Sequence, residues 1–200
     1  MDEAVPFVGL TGGMGAGKST ALAAFERLGA AVLSSDAVVH ELYECDPRLR
    51  DALVARFGED VAPGGVVDRA AVARHAFARD EDRAWLEGLL WPMVGERVAS
   101  WLVEVRSKRP APAAAIVEVP LLFEAGMDGL YDATVAVVVD EDVRRRRAQA
   151  RGHVLQEARS ARQLAQREKA DRATFAVCND GSEEELTAQL SDVLEKLRRR

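Results

Sequence analysis

Metal-ligating and redox-active residues are scarce in this chain. Cys45 and Cys178 are its only cysteines, far apart and at no metal or redox spacing, so both read as small buried or half-buried thiols. His40, His75 and His153 are equally scattered, which argues against a zinc site held by the protein itself. Long apolar runs are absent too: stretches such as Thr134–Val139 are far too short to span a bilayer. The chain opens Met1-Asp2-Glu3-Ala4, acidic where a secretory signal carries positive charge, so a cytoplasmic protein without a membrane anchor is expected. An excess of basic residues is lacking as well. The formal net charge of −6 argues against a broad nucleic-acid-binding surface.

What basic charge exists is concentrated. Arg144–Arg147 is an unbroken run, with Arg151, Arg159, Arg162 and Arg167 close behind, a pattern suited to a small anionic ligand. The 200 residues, 48% hydrophobic and 30% charged, are enough for one α/β domain with a smaller appended region.

Periodicity gives the element order. Short apolar runs at Phe7–Thr11, Ala30–Leu33, Ala113–Val119, Thr134–Val139 and Phe175–Cys178 read as buried strands. Helical spacing follows Lys18 through Ala21, Ala24, Phe25 and Leu28, with Gly29 as a stop. The stretch from Asp36 to Arg109 is mostly helical, including Asp68–Phe77 and the region around Trp85–Val105, and Pro110-Ala111-Pro112 closes it. Helices are also expected over Glu141–Arg151 and Val154–Glu168. Ser182-Glu183-Glu184-Glu185 is a capping-box pattern opening a last helix, whose stripe of Leu186, Leu190, Val193, Leu194 and Leu197 faces the core. Strands alternating with helices imply an α/β fold, a parallel sheet covered on both faces.

The segment between the first strand and first helix carries the chemistry. Gly12-Gly13-Met14-Gly15-Ala16-Gly17-Lys18-Ser19 satisfies the phosphate-binding pattern Gly-x-x-x-x-Gly-Lys-Ser. Its glycines let the backbone curl so that successive N–H groups point at phosphate oxygens. The helix that begins near Lys18 adds its positive end. The lysine ammonium reaches the β- and γ-phosphates of ATP, and the Ser19 hydroxyl suits Mg²⁺. The guanine-reading Asn-Lys-x-Asp signature of GTPases is absent, and the short chain favours a small-molecule kinase.

Asp36 lies just past the second strand, near the sheet edge where open α/β folds bind ligands. A carboxylate there can take a proton from an attacking hydroxyl, support a metal, or simply cap the next helix. Arg147 and Arg151, four residues apart, share a helix face and can clamp a transferring phosphoryl group. Arg145 and Arg146 read as solvated charges.

From Phe7 to about Leu197 the chain resembles the dephospho-coenzyme A kinase family. The resemblance is carried by Val8–Thr20 with its double glycine, Phe57-Gly58 with Asp68-Arg69 and Phe77, and Leu86–Val94. Further along it is carried by Val119-Pro120-Leu121-Leu122-Phe123-Glu124, the Arg147 and Arg151 spacing, Gln163, and Asn179-Asp180-Gly181. It implies a P-loop kinase core with a five-stranded parallel sheet, a helical acceptor-substrate region and a helical lid. The corresponding boundaries are about 1–60, 112–142 and 175–200 for the core, 61–111 for the acceptor region and 143–174 for the lid.

The implied reaction moves the γ-phosphate of ATP to the ribose 3′-hydroxyl of dephospho-CoA. Asp36 is then the general base, Lys18 and Arg147 stabilise the phosphoryl group, and Ser19 holds Mg²⁺. Gly13, Met14, Gly15, Ala16, Gly17, Lys18, Ser19, Thr20, Arg147 and Arg151 would bind ATP. Asp36, Asp68, Arg69, Pro120, Leu121, Leu122 and Glu124 would bind the acceptor.

The chain departs from the family pattern in four places. Ser34-Ser35 stand before Asp36 where Asp-Ala is usual, Trp91 stands before Pro92 where histidine is usual, Arg144 replaces glutamine, and Thr174 ends what is usually an Ala-Asp pair. Glu118 is a candidate for the missing metal-facing acid. Two other readings are another small-molecule kinase on this scaffold and a nucleotide-binding regulatory protein without transfer activity.

Overall fold

The computed structural model describes residues 4–143 and 164–199. The chain forms two compact units, Met1–Ser34 with Leu102–Arg200, and Ser35–Trp101. Residues 35–60, assigned above to the core, fall in the second unit.

The first unit is built on five parallel strands: β1 (Phe7–Gly12), β2 (Ala31–Ser34), β3 (Ala115–Glu118), β4 (Ala133–Val138) and β5 (Phe175–Cys178). Their order in the sheet is β2-β3-β1-β4-β5. β1 is central. Its Val8 pairs with Ile116 on one side and Ala133 on the other, and Leu10 with Glu118 and Val135. Five of its six residues are buried, as a strand covered on both faces requires.

Helix α1 (Lys18–Arg27) follows β1 and buries Ala21, Ala24 and Phe25. Phe25 is fully buried, worth about 1.5–3 kcal/mol relative to exposure. Among the described residues β5 forms one edge of the sheet, and only Val177 of its four residues is buried.

The second unit holds α2 (Ser35–Cys45), α3 (Pro47–Phe57), α4 (Arg69–Ala76) and most of α5 (Asp80–Ser107). Pro47 opens α3, with Asp46 as its cap accepting from Arg48 N at 2.8 Å, a position where proline suits a helix start. α5 is longer than expected at both ends and runs through Pro92, although a proline there removes one ladder hydrogen bond. Leu49 and Leu53 of α3, Val72 of α4 and Val61 between them are buried in this unit. Arg56 holds the largely buried Asp82 through Nη2 at 2.7 Å.

Later in the first unit come α6 (Gln166–Arg172) and α7 (Glu183–Arg198). The capping box is formed as expected: Ser182 Oγ accepts from Glu185 N at 3.2 Å, and Glu185 Oε2 accepts from Ser182 N at 2.9 Å. The leucine stripe of α7 is buried, and α7 packs on α1. The helices expected over Glu141–Arg151 and Val154–Glu168 fall largely outside the described residues. No described helix is long and apolar enough to cross a membrane.

Candidate active site

The phosphate loop emerges from the centre of the sheet. β1 ends at Gly12 and α1 starts at Lys18, so residues 13–17 turn the chain through the gap between them. Gly15 and Gly17 adopt φ of 77° and 92°, a region that side-chain-bearing residues rarely enter. Ala16 N donates to Gly13 O at 3.2 Å and closes the turn. The Lys18 ammonium donates to the carbonyls of Gly12 and Gly13, both at 3.2 Å, and so lies across the loop. Ser19 is exposed in the first turn of α1, next to the positive end of the helix. Met14 and Thr20 are half-buried and Gly13 and Ala16 buried.

Two side chains for which the sequence suggested no role at the loop, Asn179 of the matched Asn179-Asp180-Gly181 string and Gln166, pack against it. Asn179, buried just past β5, donates from Nδ2 to Ala16 O at 2.8 Å. A Cβ on Gly17 would collide with the same amide, so glycine is required there by packing as well as by φ. Gln166, first residue of α6, places Cγ 2.8 Å from where a Cβ on Gly13 would sit. Its amide brackets Val139, accepting from Val139 N at 3.0 Å and donating to Val139 O at 3.2 Å.

The segment after β3 forms a second part of the same unit. Thr11 Oγ1 donates to Pro120 O at 3.3 Å, tying the turn to β1. Pro120 and Leu121 are half-buried. Leu122 is fully buried against the space over Gly9, so it shapes the turn from within. The Glu124 side chain is only 13% exposed and pairs through Oε1 with Lys169 Nζ at 2.9 Å. Leu164 N also donates to Glu124 Oε1, at 2.8 Å. Lys169, 0% exposed, was not anticipated, and its ammonium donates to Pro120 O at 2.7 Å as well.

Glu118 ends β3 in register with Leu10 and with Ser34 of β2. Among the described residues no three His, Cys, Asp or Glu side chains form a metal-holding group.

This combination of a glycine loop, a Lys-Ser helix start and a parallel sheet with β3 between β1 and β2 is matched by known proteins. Residues 6–185 match the family described as dephospho-CoA kinase. The chain belongs to the dephospho-CoA kinase family. A dephospho-CoA kinase of Geobacter sulfurreducens is 34% identical over 193 residues, covering 94% of this chain and 97% of the relative. One from Mycolicibacterium paratuberculosis is 36% identical over 190 residues, which is 93% of this chain but 46% of that longer relative. A solved structure from Thermus thermophilus superposes with a TM-score of 0.81 at 32% identity, covering 98% of this chain and 99% of that one. The dephospho-CoA kinase match spans both the phosphate loop and the Val119–Glu124 string at the end of β3.

The remaining acceptor-side candidates lie in the second unit. Asp36 sits inside the first turn of α2, exposed, and its carboxylate takes no hydrogen bond or ion pair from any described residue. It does not act as a cap. Asp68 does: its Oδ1 accepts from Ala70 N at 2.8 Å and Ala71 N at 3.2 Å, starting α4. Arg69 contacts His40 Nδ1 and lies 5.6 Å over the Tyr43 ring. His40 is one turn beyond Asp36 on α2, so Arg69 docks on the helix that carries the candidate base. The Tyr43 hydroxyl is pushed to higher pKa by burial, partly offset by the Arg69 cation. Arg147 and Arg151 lie outside the described residues.

Of the four departures, Thr174 has a clear structural role. It exchanges hydrogen bonds with Thr134, each backbone N–H donating to the other's Oγ1 at 3.0 Å, and so joins the start of β5 to β4. Trp91 is 45% exposed on α5.

Proposed function

We propose that this chain transfers the γ-phosphate of ATP to the ribose 3′-hydroxyl of dephospho-CoA, giving CoA and ADP in the cytoplasm. Family membership supports this reading. The observation that carries it is the anchored loop Gly13–Gly17, an anion cradle at the centre of the sheet, beside the family's acceptor-side string at the end of β3.

In this reading ATP enters with Mg²⁺. Ser19 fits the ion: its hydroxyl is an exposed oxygen donor without a partner among the described residues, the ligand type a hard cation takes. Glu118, in the same unit, is a further oxygen donor suited to it. When bound, the metal would supply charge neutralisation to the phosphates. Backbone N–H groups of the loop and of the first turn of α1 hold the phosphates, and Lys18 follows the γ-phosphoryl group as its charge moves to the bridging oxygen. Asp36 takes the proton from the 3′-hydroxyl as its oxygen bonds to phosphorus and the bond to ADP breaks. Arg147 and Arg151 complete the neutralisation of the phosphoryl group. Pro120, Leu121, Asp68 and Arg69 contribute to acceptor binding.

The test is ADP release by purified protein with Mg·ATP, with and without dephospho-CoA, and the product mass. Strong stimulation with CoA formed supports the reading. ATP binding without stimulated turnover overturns it in favour of a regulatory role, and stimulation by other alcohols alone points to a different acceptor.

A further inference from the structure

Lys169 is a fully buried cation in a place where an apolar side chain would cost less. Moving an ammonium out of water carries a penalty of several kcal/mol even after relaxation, and replacing buried ion pairs with apolar groups is often neutral or stabilising. Stability alone therefore gives no reason for a lysine here. What an ammonium adds is direction: it fixes two oxygens at once, the Pro120 carbonyl at 2.7 Å and Glu124 Oε1 at 2.9 Å.

Both oxygens belong to the turn that leaves β3 at the ligand-binding edge of the sheet. The same helix makes two further attachments. Arg172, one turn on, stacks 4.7 Å over the Phe123 ring and reaches Asp128 Oδ1 at 3.5 Å. Gln166, one turn back, brackets Val139 and touches the phosphate loop at Gly13. Glu124 Oε2 is buried without a hydrogen-bond partner among the described residues. The carboxylate is therefore held through Oε1 alone, by Lys169 and by Leu164 N.

We propose that Lys169 is a positioning residue for the acceptor substrate. It does not touch the reacting atoms but sets the 120–124 turn against the phosphate loop, with α6 as the common brace. This rests on the reading that the 120–124 turn faces dephospho-CoA.

The experiment compares wild type, Lys169→Met and the double variant Lys169→Met/Glu124→Gln, measuring kcat and KM for each substrate together with thermal unfolding. Lys169→Met is expected to lower kcat/KM for dephospho-CoA by about 10- to 100-fold, as misplacing a binding element by about 1 Å does, with KM for ATP held within about twofold. Its melting temperature falls, because Glu124 is left buried and unpaired. The double variant recovers the melting temperature but not the acceptor KM, since no buried charge is left unpaired while the lysine contacts to the turn stay lost. It also carries the test if Lys169→Met does not fold. An acceptor KM at the wild-type value in the double variant overturns the proposal. So does a loss shared equally by both substrates, or a loss that disappears with recovered stability. Wild-type protein that shows no dephospho-CoA-stimulated turnover sinks the functional reading instead, whatever the variants do.

Discussion

Replacing Asn179 by alanine isolates the part of the phosphate loop that is held from outside. The Nδ2 group donates at 2.8 Å to the carbonyl of Ala16, a residue that is itself 0% exposed. Without it the carbonyl is buried and loses that partner, a penalty of about 1–3 kcal/mol. Two limiting responses bracket the outcome. If the loop keeps its shape, the full penalty appears as lost stability, a drop of about 2–12 °C at about 2–4 °C per kcal/mol for a chain this long. If the loop relaxes to rehydrate the carbonyl, stability is spared. ATP must then restore the binding shape, so the same penalty of about 1–3 kcal/mol appears as roughly 5- to 150-fold weaker binding. Intermediate cases share one total between the two quantities. Thermal unfolding followed by circular dichroism, and calorimetric titration with a non-hydrolysable ATP analogue, measure both. A melting temperature within about 1 °C of wild type together with affinity within about twofold refutes the reasoning, because the penalty then appears nowhere.

Other perturbations separate the remaining roles. Lys18→Ala should keep the fold and lower turnover by about 10²–10³-fold, as loss of one preorganised donor does, and circular dichroism beside steady-state kinetics checks both halves. Asp36→Asn should spare ATP binding and suppress transfer; because Asp36 caps no helix, an accompanying fall in melting temperature would count against this account. The Cys178 thiol is pushed above its ordinary pKa by burial and by its hydrogen bond to Asp180 Oδ2 at 2.7 Å. Alkylation of Cys178 near pH 8, followed by peptide mass, should therefore be slower than for a free cysteine and speed up in Asp180→Asn. Chelating divalent cations should abolish ADP release and restoring Mg²⁺ should recover it.

The legible part of this protein is the part written locally. All five strands, α1 and its glycine loop, and the Ser182 capping box depend on residues within a few positions of one another, and the sequence shows each at nearly its observed position. The family resemblance added the order of the segments. The braces were not legible. Asn179 lies 163 residues from the carbonyl it holds, and Gln166 and Lys169 lie 27 and 49 residues from theirs. An asparagine, a glutamine or a lysine in a polar stretch carries no mark of such a partner, because only the placing of β3 and β4 on either side of β1 brings the two together. Burial misled in a similar way. Leu122 and Glu124 stand in the acceptor string, yet one packs inside the sheet unit and the other is claimed by Lys169.

The position of β1 has a consequence for synthesis. The strand that carries the phosphate loop is made first, but both strands that flank it are encoded more than a hundred residues later, and the side chains that hold the loop come later still. A nascent chain therefore displays the complete Gly-x-x-x-x-Gly-Lys-Ser motif long before it has a rigid place to put phosphate. The loop gains its braces only once α6 and Asn179 have left the ribosome, and a chain cut short before them carries the motif without the contacts that shape it.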